Sequence, residues 1–448
     1  MFSTIILAEQ TLGPPISLTT MISLQIDGPA KIHGSLRLKG NKNAVLPMLA
    51  ASMLTSETVV LRNVPDILDV RNMLDIALAL GANGDFQGET LTVTARELHP
   101  EAFPQRLCQA IRTSILFAGP LTARLGEIRI GMPGGDVIGR RRLDTHFYGL
   151  RKLGIEVETD ADGYHFVRTA PRLHGCEMFL DEASVTATEH ILMTACLAEG
   201  RTIIRNAACE PHVISLANLL TAMGAHITGQ GTNLLTVDGV ESLHGAECTV
   251  ESDHVEAVSY LALAAATQGE LEVTGLISPS NYWMPHRVFE RFGCCLELAP
   301  NRLHLDQTGR RPAITPDLNN AIPVISDGPW PQFPSDMMSS FIALATQATG
   351  TVLFFEKMFE SRMYFVDKLI SMGASAVVCD PHRAVISGPA MLHGVEMTSP
   401  DIRAGMAMVI AACCAQGRSI IRNLEMIKRG YTSLTENLNA LGVRCHEI

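Results

Sequence analysis

The segment MPGGDVIGRRRLDTH, residues 132–146, sets one carboxyl, Asp136, between a Gly134-Gly135 pair and three consecutive arginines, Arg140, Arg141 and Arg142. Paired glycines let the backbone turn tightly and lift the aspartate onto an exposed loop among guanidinium groups, which suits an acidic ligand. Read as composition alone, Gly-Gly-Asp is simply a turn. Other chemically capable residues stand apart from it: Lys42 and Asn43 in GNKNAVLP, Arg112 in AIRTSI, Ser184, Asp253, Asp336 in FPSDMM and Arg403 in SPDIRAG. Lys42 and Asn43 also admit a plain structural reading, a solvated loop charge followed by a helix N-cap.

What positions these residues is a pattern that occurs six times. An apolar, Ala-rich helix leads into a strand (TVVLRNV, EIRIGM, RTIIRNA, ELEVTGL, TVLFFEKM, RSIIRNL), then a second helix closed by glycine, then a hairpin. The closing glycines are Gly81, Gly154, Gly224, Gly293, Gly373 and Gly442, spaced 73, 70, 69, 80 and 69 residues apart. That period is too long for the common solenoids and fits six copies of one βα unit. Glycine suits the left-handed position that ends a helix, and alternation around AHITGQGTNLLTVDGV predicts a hairpin. The first helices, such as AVLPMLAASML, EHILMTACLAE and AMAMVIAACCA, have so little polar face that they must be buried on all sides. Asn43, Arg112, Ser184, Asp253, Asp336 and Arg403 fall at or within a turn of their starts, with Pro47 in the first turn of its helix. Three copies around a pseudo-threefold axis in each of two lobes would bring these amino ends together. Free N–H groups and partial positive charge would then make the gap between the lobes an anion site.

Composition sets outer bounds. The chain has 448 residues, 47% of them apolar, enough for more than one core. No apolar run reaches the length of a bilayer span, and residues 1–20 lack a basic leader, reading instead as a disordered extension ahead of a strand-like segment from Met21. Eleven cysteines, an odd count without metal-type spacing, favour reduced thiols in a cytoplasm. A formal net charge of -11 argues against nucleic acid as a partner.

Several segments carry a resemblance: GNKNAVLPMLAASML, NVPDILDVRNML, PGGDVIGRRRLDTH, FPSDMMSSF, MFESRMYFVDKLISMGA, SPDIRAGMAMVIAA and IKRGYTSLTENLNALG. From about Met21 onward the chain resembles the enolpyruvyl transferases, most closely their nucleotide-sugar branch. The resemblance implies an α/β fold of two lobes, an inside-out α/β barrel with three copies of the unit per lobe. Residues 42–250 would form lobe I, and residues 21–41 with 251–448 lobe II. It implies transfer of the enolpyruvyl group of phosphoenolpyruvate to the 3'-hydroxyl of UDP-N-acetylglucosamine with release of phosphate, opening peptidoglycan precursor synthesis in the cytoplasm. No metal or organic cofactor and no membrane insertion are implied. Asp136 matches the family's general acid, a position more often held by cysteine; the aspartate subset resists fosfomycin, which alkylates the thiol. Asp336 matches the base at the sugar hydroxyl, with an N-cap role as the alternative. Lys42, Arg141, Arg403 and Arg429 match cations around phosphoenolpyruvate, with Arg362 and Asp401 in adjoining motifs. Asn43, Arg112, Arg141, Asp144, Ser184, Val185 and Met358 match nucleotide-sugar contacts.

The chain departs from the family's pattern at several positions. Arg142 replaces a proline beside the uracil-contacting arginine, Glu182 a lysine near the diphosphate, Asn41 a small residue and Lys428 an aspartate, and AIPVISDGPWPQFPSD is long. These leave open a paralogue acting on another uridine nucleotide, such as uridine monophosphate, and a silent nucleotide-sugar-binding relative.

Overall fold

The computed structural model describes residues 22–135, 138–139 and 141–448. Asp136, Arg140 and the proposed extension 1–20 lie outside the described residues. Secondary structure is mixed α/β and follows the sixfold pattern: all six closing glycines have positive φ, 97° at Gly81 and Gly154, 101° at Gly224, 65° at Gly293, 104° at Gly373 and 91° at Gly442.

Each repeat contributes one small sheet. Thr58–Arg62 pairs antiparallel with Thr90–Thr94, which forms a hairpin with Asn83–Gln87, and takes Glu247–Thr249 as a parallel neighbour. The same plan is built on Arg201–Arg205, Glu270–Thr274 and Gly350–Phe355. Glu127–Gly131 heads a sheet of three described strands. In the last sheet Gly417–Arg422 pairs with Leu24–Gly28, which in turn pairs with Arg444–Glu447. Alternation explains these strands: Val59 and Leu61 are buried while Thr58 and Arg62 face solvent.

Buried apolar side chains fall into two clusters. One draws on Ala44 to Val250; the other on Leu24 to Leu38 together with Val255 to Cys445. In the second, the helices His254–Ala266, Ser335–Ala345 and Ile402–Cys414 pack on one another. Every residue of His254–Ala266 is buried, as a helix without a polar face requires. In the first cluster Lys42–Ala51 and Val185–Ala195 take the corresponding places.

Local details differ from expectation at three starts. Asn41, rather than Asn43, caps the Lys42–Ala51 helix, accepting the Asn43 backbone N–H at 2.7 Å. Pro47 is the sixth residue of that helix, in its second turn, where its missing N–H leaves the Asn43 carbonyl without a helical donor. Arg112 opens a 3-10 turn, Arg112–Phe117, before the α-helix Ala118–Leu125 begins. Asp336 is the second residue of Ser335–Ala345, whose cap position is Pro334, so its carboxylate is not an N-cap. Among the described residues no helix is long and apolar enough to cross a membrane.

Candidate active site

Two connected cavities, of about 250 and 130 Å3, share Asn43, Leu46, Thr113, Ile138, Arg141, Asp336 and Arg362 as lining. Residues at the start of all six first helices line this cleft: Lys42, Arg112, Val185, His254, Asp336 and Ile402. Uncapped N–H groups remain at the Arg112 and Ser335 starts, where no side chain takes them. The smaller cavity adds cationic side chains to these dipoles, namely Lys42, Arg112, Arg141, Arg362, Arg403 and Arg429. An acidic chain thus keeps a positive cleft.

At one end of the cleft an unanticipated carboxylate organises two of the cations. Asp69, 2% exposed, bridges Lys42 Nζ at 2.5 Å and Arg429 Nε at 2.8 Å, joining segments 360 residues apart. Burial raises its carboxyl pKa, but Lys42 and Arg429 outweigh burial and hold it below the usual range. Arg429 therefore sits in the cleft through a long-range pair, and Lys428 turns away to Glu447 at 2.8 Å.

Asp336 is gripped by two guanidinium groups, Arg362 Nη2 at 2.5 Å and Arg403 Nε at 3.2 Å. Burial opposes ionisation, yet the charges of Arg362 and then Arg403 drive its carboxyl far below the ordinary value, so it is fully ionised. Both arginines keep spare donors: Arg362 Nε and Nη1 and Arg403 Nη1 are buried without hydrogen-bond partners. Asp401 caps Ile402–Cys414, accepting from the Arg403 and Ala404 N–H groups at 2.8 and 2.9 Å, which fixes Arg403 where it meets Asp336.

Arg112 donates to the carbonyls of Arg141 and, at 3.1 Å, Arg142, tying the arginine segment to the 3-10 turn. Burial, then the Arg141 charge, pushes Arg112 down to about 10. The glycines before Asp136 are required by contact: a Cβ on Gly134 would lie 1.8 Å from the Gln109 carbonyl oxygen, and Gly135 has φ 115°. Gly135 and Ile138, on either side of residues 136 and 137, both line the cleft, and the Ile138 carbonyl accepts the Ser361 N–H at 3.2 Å.

The cleft brings together Lys42, Asn43, Arg112, Arg141, Val185, Asp336, Met358, Arg362, Asp401, Arg403 and Arg429. Ser184 stands just outside, its hydroxyl capping Val185–Ala195 through the Ala187 N–H at 3.4 Å. Asp144 is not in the lining; it forms an exposed bidentate pair with Arg142 at 2.8 Å on both arms. A proline at residue 142 could not form that pair, so this departure redirects the aspartate. Glu182 accepts the Thr145 hydroxyl at 3.3 Å. Trp330, from the long segment before Asp336, enters the cavity wall and donates its backbone N–H to Glu210 Oε1 at 3.4 Å.

Behind Asp336, two fully buried acids knit the helix start to the Met358 segment. Glu356 accepts the Ser335 hydroxyl at 2.8 Å and the Met358 and Phe359 N–H groups at 3.2 and 3.1 Å, while Asp327 takes the Lys357 N–H at 2.5 Å. Burial, then the adjoining Asp327, pushes Glu356 up to about 8. The native state therefore holds a proton that the unfolded chain has lost above an ordinary glutamate's 4.5. Stability from this site is complete below pH about 4.5 and falls toward pH 8, by at most about 1.4 kcal/mol per pH unit. Glu356→Gln, which keeps the shape without the titration, is expected to flatten the decline of Tm between those pH values; an unchanged slope would contradict a proton held on Glu356.

Comparison with known proteins fits this geometry. The family model described as EPSP synthase (3-phosphoshikimate 1-carboxyvinyltransferase) matches residues 26–438. The chain belongs to the EPSP synthase family. Within this enolpyruvyl transferase family it is 49% identical over 420 residues to UDP-N-acetylglucosamine 1-carboxyvinyltransferase of Treponema denticola, covering 94% of this chain and 97% of the relative. The Bradyrhizobium diazoefficiens protein of the same name is 46% identical over 426 residues, with 94% and 97% coverage. Among solved structures, the enolpyruvyl transferase NikO from Streptomyces tendae superposes with TM-score 0.85 at 23% identity, covering 96% of this chain and 99% of that one. EPSP synthase from Acinetobacter baumannii gives 0.71 at 17%, with 96% and 100% coverage. These two share the fold of this enolpyruvyl transferase.

Proposed function

We propose that this enolpyruvyl transferase moves the enolpyruvyl group of phosphoenolpyruvate to the 3'-hydroxyl of UDP-N-acetylglucosamine, releasing phosphate. The observation that carries the reading is the convergence of six helix starts and six cations on one ionised carboxylate, Asp336, in a chain so similar to named transferases of that substrate. In the proposed architecture, residues 42–250 and residues 21–41 with 251–448 are two lobes of an inside-out barrel with the cleft between them. The enzyme works in the cytoplasm, supplying cell-wall synthesis.

Phosphate and carboxylate of phosphoenolpyruvate engage Lys42, Arg429 and the spare donors of Arg362 and Arg403. An anion there competes with Asp336 for its two arginines. Loosening that grip raises the basicity of Asp336, which takes the acceptor's hydroxyl proton. Asp136 protonates the methylene carbon to a methyl as the hydroxyl oxygen bonds to the central carbon; phosphate then leaves with the proton Asp336 has taken, and return of one methyl proton to the Asp136 carboxylate regenerates the double bond. As a proton donor Asp136 must be protonated with substrate bound, which desolvation by the closed cleft and the substrate's charge favour. Asp144 reaches the uridine only after leaving Arg142.

Phosphate release from phosphoenolpyruvate with UDP-N-acetylglucosamine, uridine monophosphate or shikimate 3-phosphate as acceptor tests the assignment. Turnover with the first alone is expected, and turnover only with either of the others overturns it. Asp136→Asn is expected to lower turnover by a factor of about a hundred or more. Asp136→Cys should stay active and become sensitive to fosfomycin; an active, resistant cysteine variant would remove Asp136 from the acid role.

A further inference from the structure

Both arginines that grip Asp336 lie over aromatic rings. The Arg403 guanidinium carbon is 5.5 Å from the centre of the Tyr431 ring, and that of Arg362 is 5.3 Å from the centre of the Phe359 ring. Asp336 thus meets the edge of the Arg403 guanidinium, through Nε at 3.2 Å, while Tyr431 meets its face. Tyr431 is 1% exposed and lies two residues after Arg429 in the same turn. Gly430 between them has no room for a side chain, because a Cβ there would collide with Ile402 Cγ2. The turn is therefore pressed against the start of Ile402–Cys414, where Arg403 stands.

The ring itself is fastened to the two other buried helices of this cluster. Ser259, from His254–Ala266, has one hydroxyl proton and donates it to the Val255 carbonyl at 3.0 Å. Its oxygen therefore accepts from both of its other partners, Ser340 of Ser335–Ala345 at 3.2 Å and Tyr431 at 2.9 Å. Tyr260 adds an edge-on contact to the Tyr431 ring, centroids 6.4 Å apart and planes at 81°. What kind of group anchors the cation matters. A carboxylate holds a guanidinium by its edge and occupies the N–H groups that an incoming anion would need. An aromatic face attracts the same cation and leaves its edge N–H groups free. Arg403 Nη1, buried without a hydrogen-bond partner, is a donor that this arrangement leaves available.

We infer that Tyr431 is a positioning residue for the transfer reaction: its ring holds the Arg403 guanidinium in the cleft while Asp336 and the phosphoenolpyruvate anion exchange places along the guanidinium edge. Tyr431 is not part of the cavity lining and acts through Arg403. The inference rests on the enolpyruvyl-transfer reading above and deepens it.

Tyr431→Leu keeps apolar bulk and removes the aromatic face. It is expected to raise KM for phosphoenolpyruvate by about tenfold or more, with KM for the acceptor within about threefold of wild type. Tyr431→Phe keeps the face and loses only the hydroxyl. Ser259 still has Ser340 as a donor, so this variant should melt slightly earlier yet stay within about threefold of wild type in KM for phosphoenolpyruvate. A tyrosine that serves packing alone would leave both KM values in place in the folded leucine variant, or move them together. Either result, or a phenylalanine variant as impaired as the leucine one, overturns the inference. If thermal melting shows that the leucine variant does not fold, Tyr431→Met carries the same readout. Titration with inorganic phosphate repeats the comparison without turnover: a Kd about tenfold weaker in the leucine variant but not in the phenylalanine one is expected. If the wild-type enzyme releases no phosphate from phosphoenolpyruvate with any acceptor, it is the transfer reading that has failed, and the phosphate titration alone decides whether Tyr431 serves Arg403.

Discussion

Asp336→Asn is expected to lower kcat by about three orders of magnitude while leaving KM for phosphoenolpyruvate unchanged or reduced. The amide keeps the size of the side chain but cannot accept the hydroxyl proton. It also releases Arg362 Nη2 and Arg403 Nε, which the carboxylate now holds at 2.5 and 3.2 Å, to meet the anionic substrate. Loss of turnover without loss of phosphoenolpyruvate binding separates a base from a residue that merely orders two arginines; the latter would raise KM. Steady-state kinetics in both substrates decide it, and a variant within a few-fold of wild-type kcat would eliminate Asp336 as the base.

The second large effect is expected at Asp69, through stability. With 2% exposure and cations at 2.5 and 2.8 Å, Asp69 is a buried counter-charge for Lys42 and Arg429. Asp69→Asn leaves those two cations facing each other across a neutral amide, a loss of about 3 kcal/mol by comparison with other broken buried pairs. Because its folded pKa lies below the ordinary aspartate value, this contribution is present above pH about 4 and is lost as pH falls through the folded pKa. Inorganic phosphate should raise the Tm of the variant more than that of wild type, since an anion can take the missing carboxylate's place. Equal shifts in the two proteins would show that Asp69 does not share its cations with the anion site.

Much of the architecture was legible in the sequence because helix closure and strand alternation are local. Gly81 through Gly442 announced their left-handed conformation by type and position, and strands such as Arg201–Arg205 by alternation. The polar residues at the helix starts were legible for the same reason. Asp69 was not, because DILDVRNML reads as an amphipathic helix with solvated charges, and only the fold brings Arg429 to it. Glu189, which lines the larger cavity, was lost inside the apolar string EHILMTACLAE, where one acid looks like a helix edge; its burial comes from neighbours that periodicity does not name. For Asp144 the motif was legible, but not its pairing with the arginine two residues before it, which holds the carboxylate outside the cleft lining. Asn43 and Asp336 show the limit of cap prediction, since the caps fell two residues earlier, at Asn41 and Pro334.

The strand Leu24–Gly28 lies between Gly417–Arg422 and Arg444–Glu447. During synthesis it must therefore wait for some four hundred further residues to leave the ribosome before its sheet exists. The cluster spanning Ala44 to Val250 has no such dependence and can condense while translation continues. In the interval the early strand presents open edges to any neighbouring nascent chain, so pairing with Arg444–Glu447 acts as the latch that ends the exposure. Truncation just before Arg444 should then produce aggregation out of proportion to the four residues of strand removed.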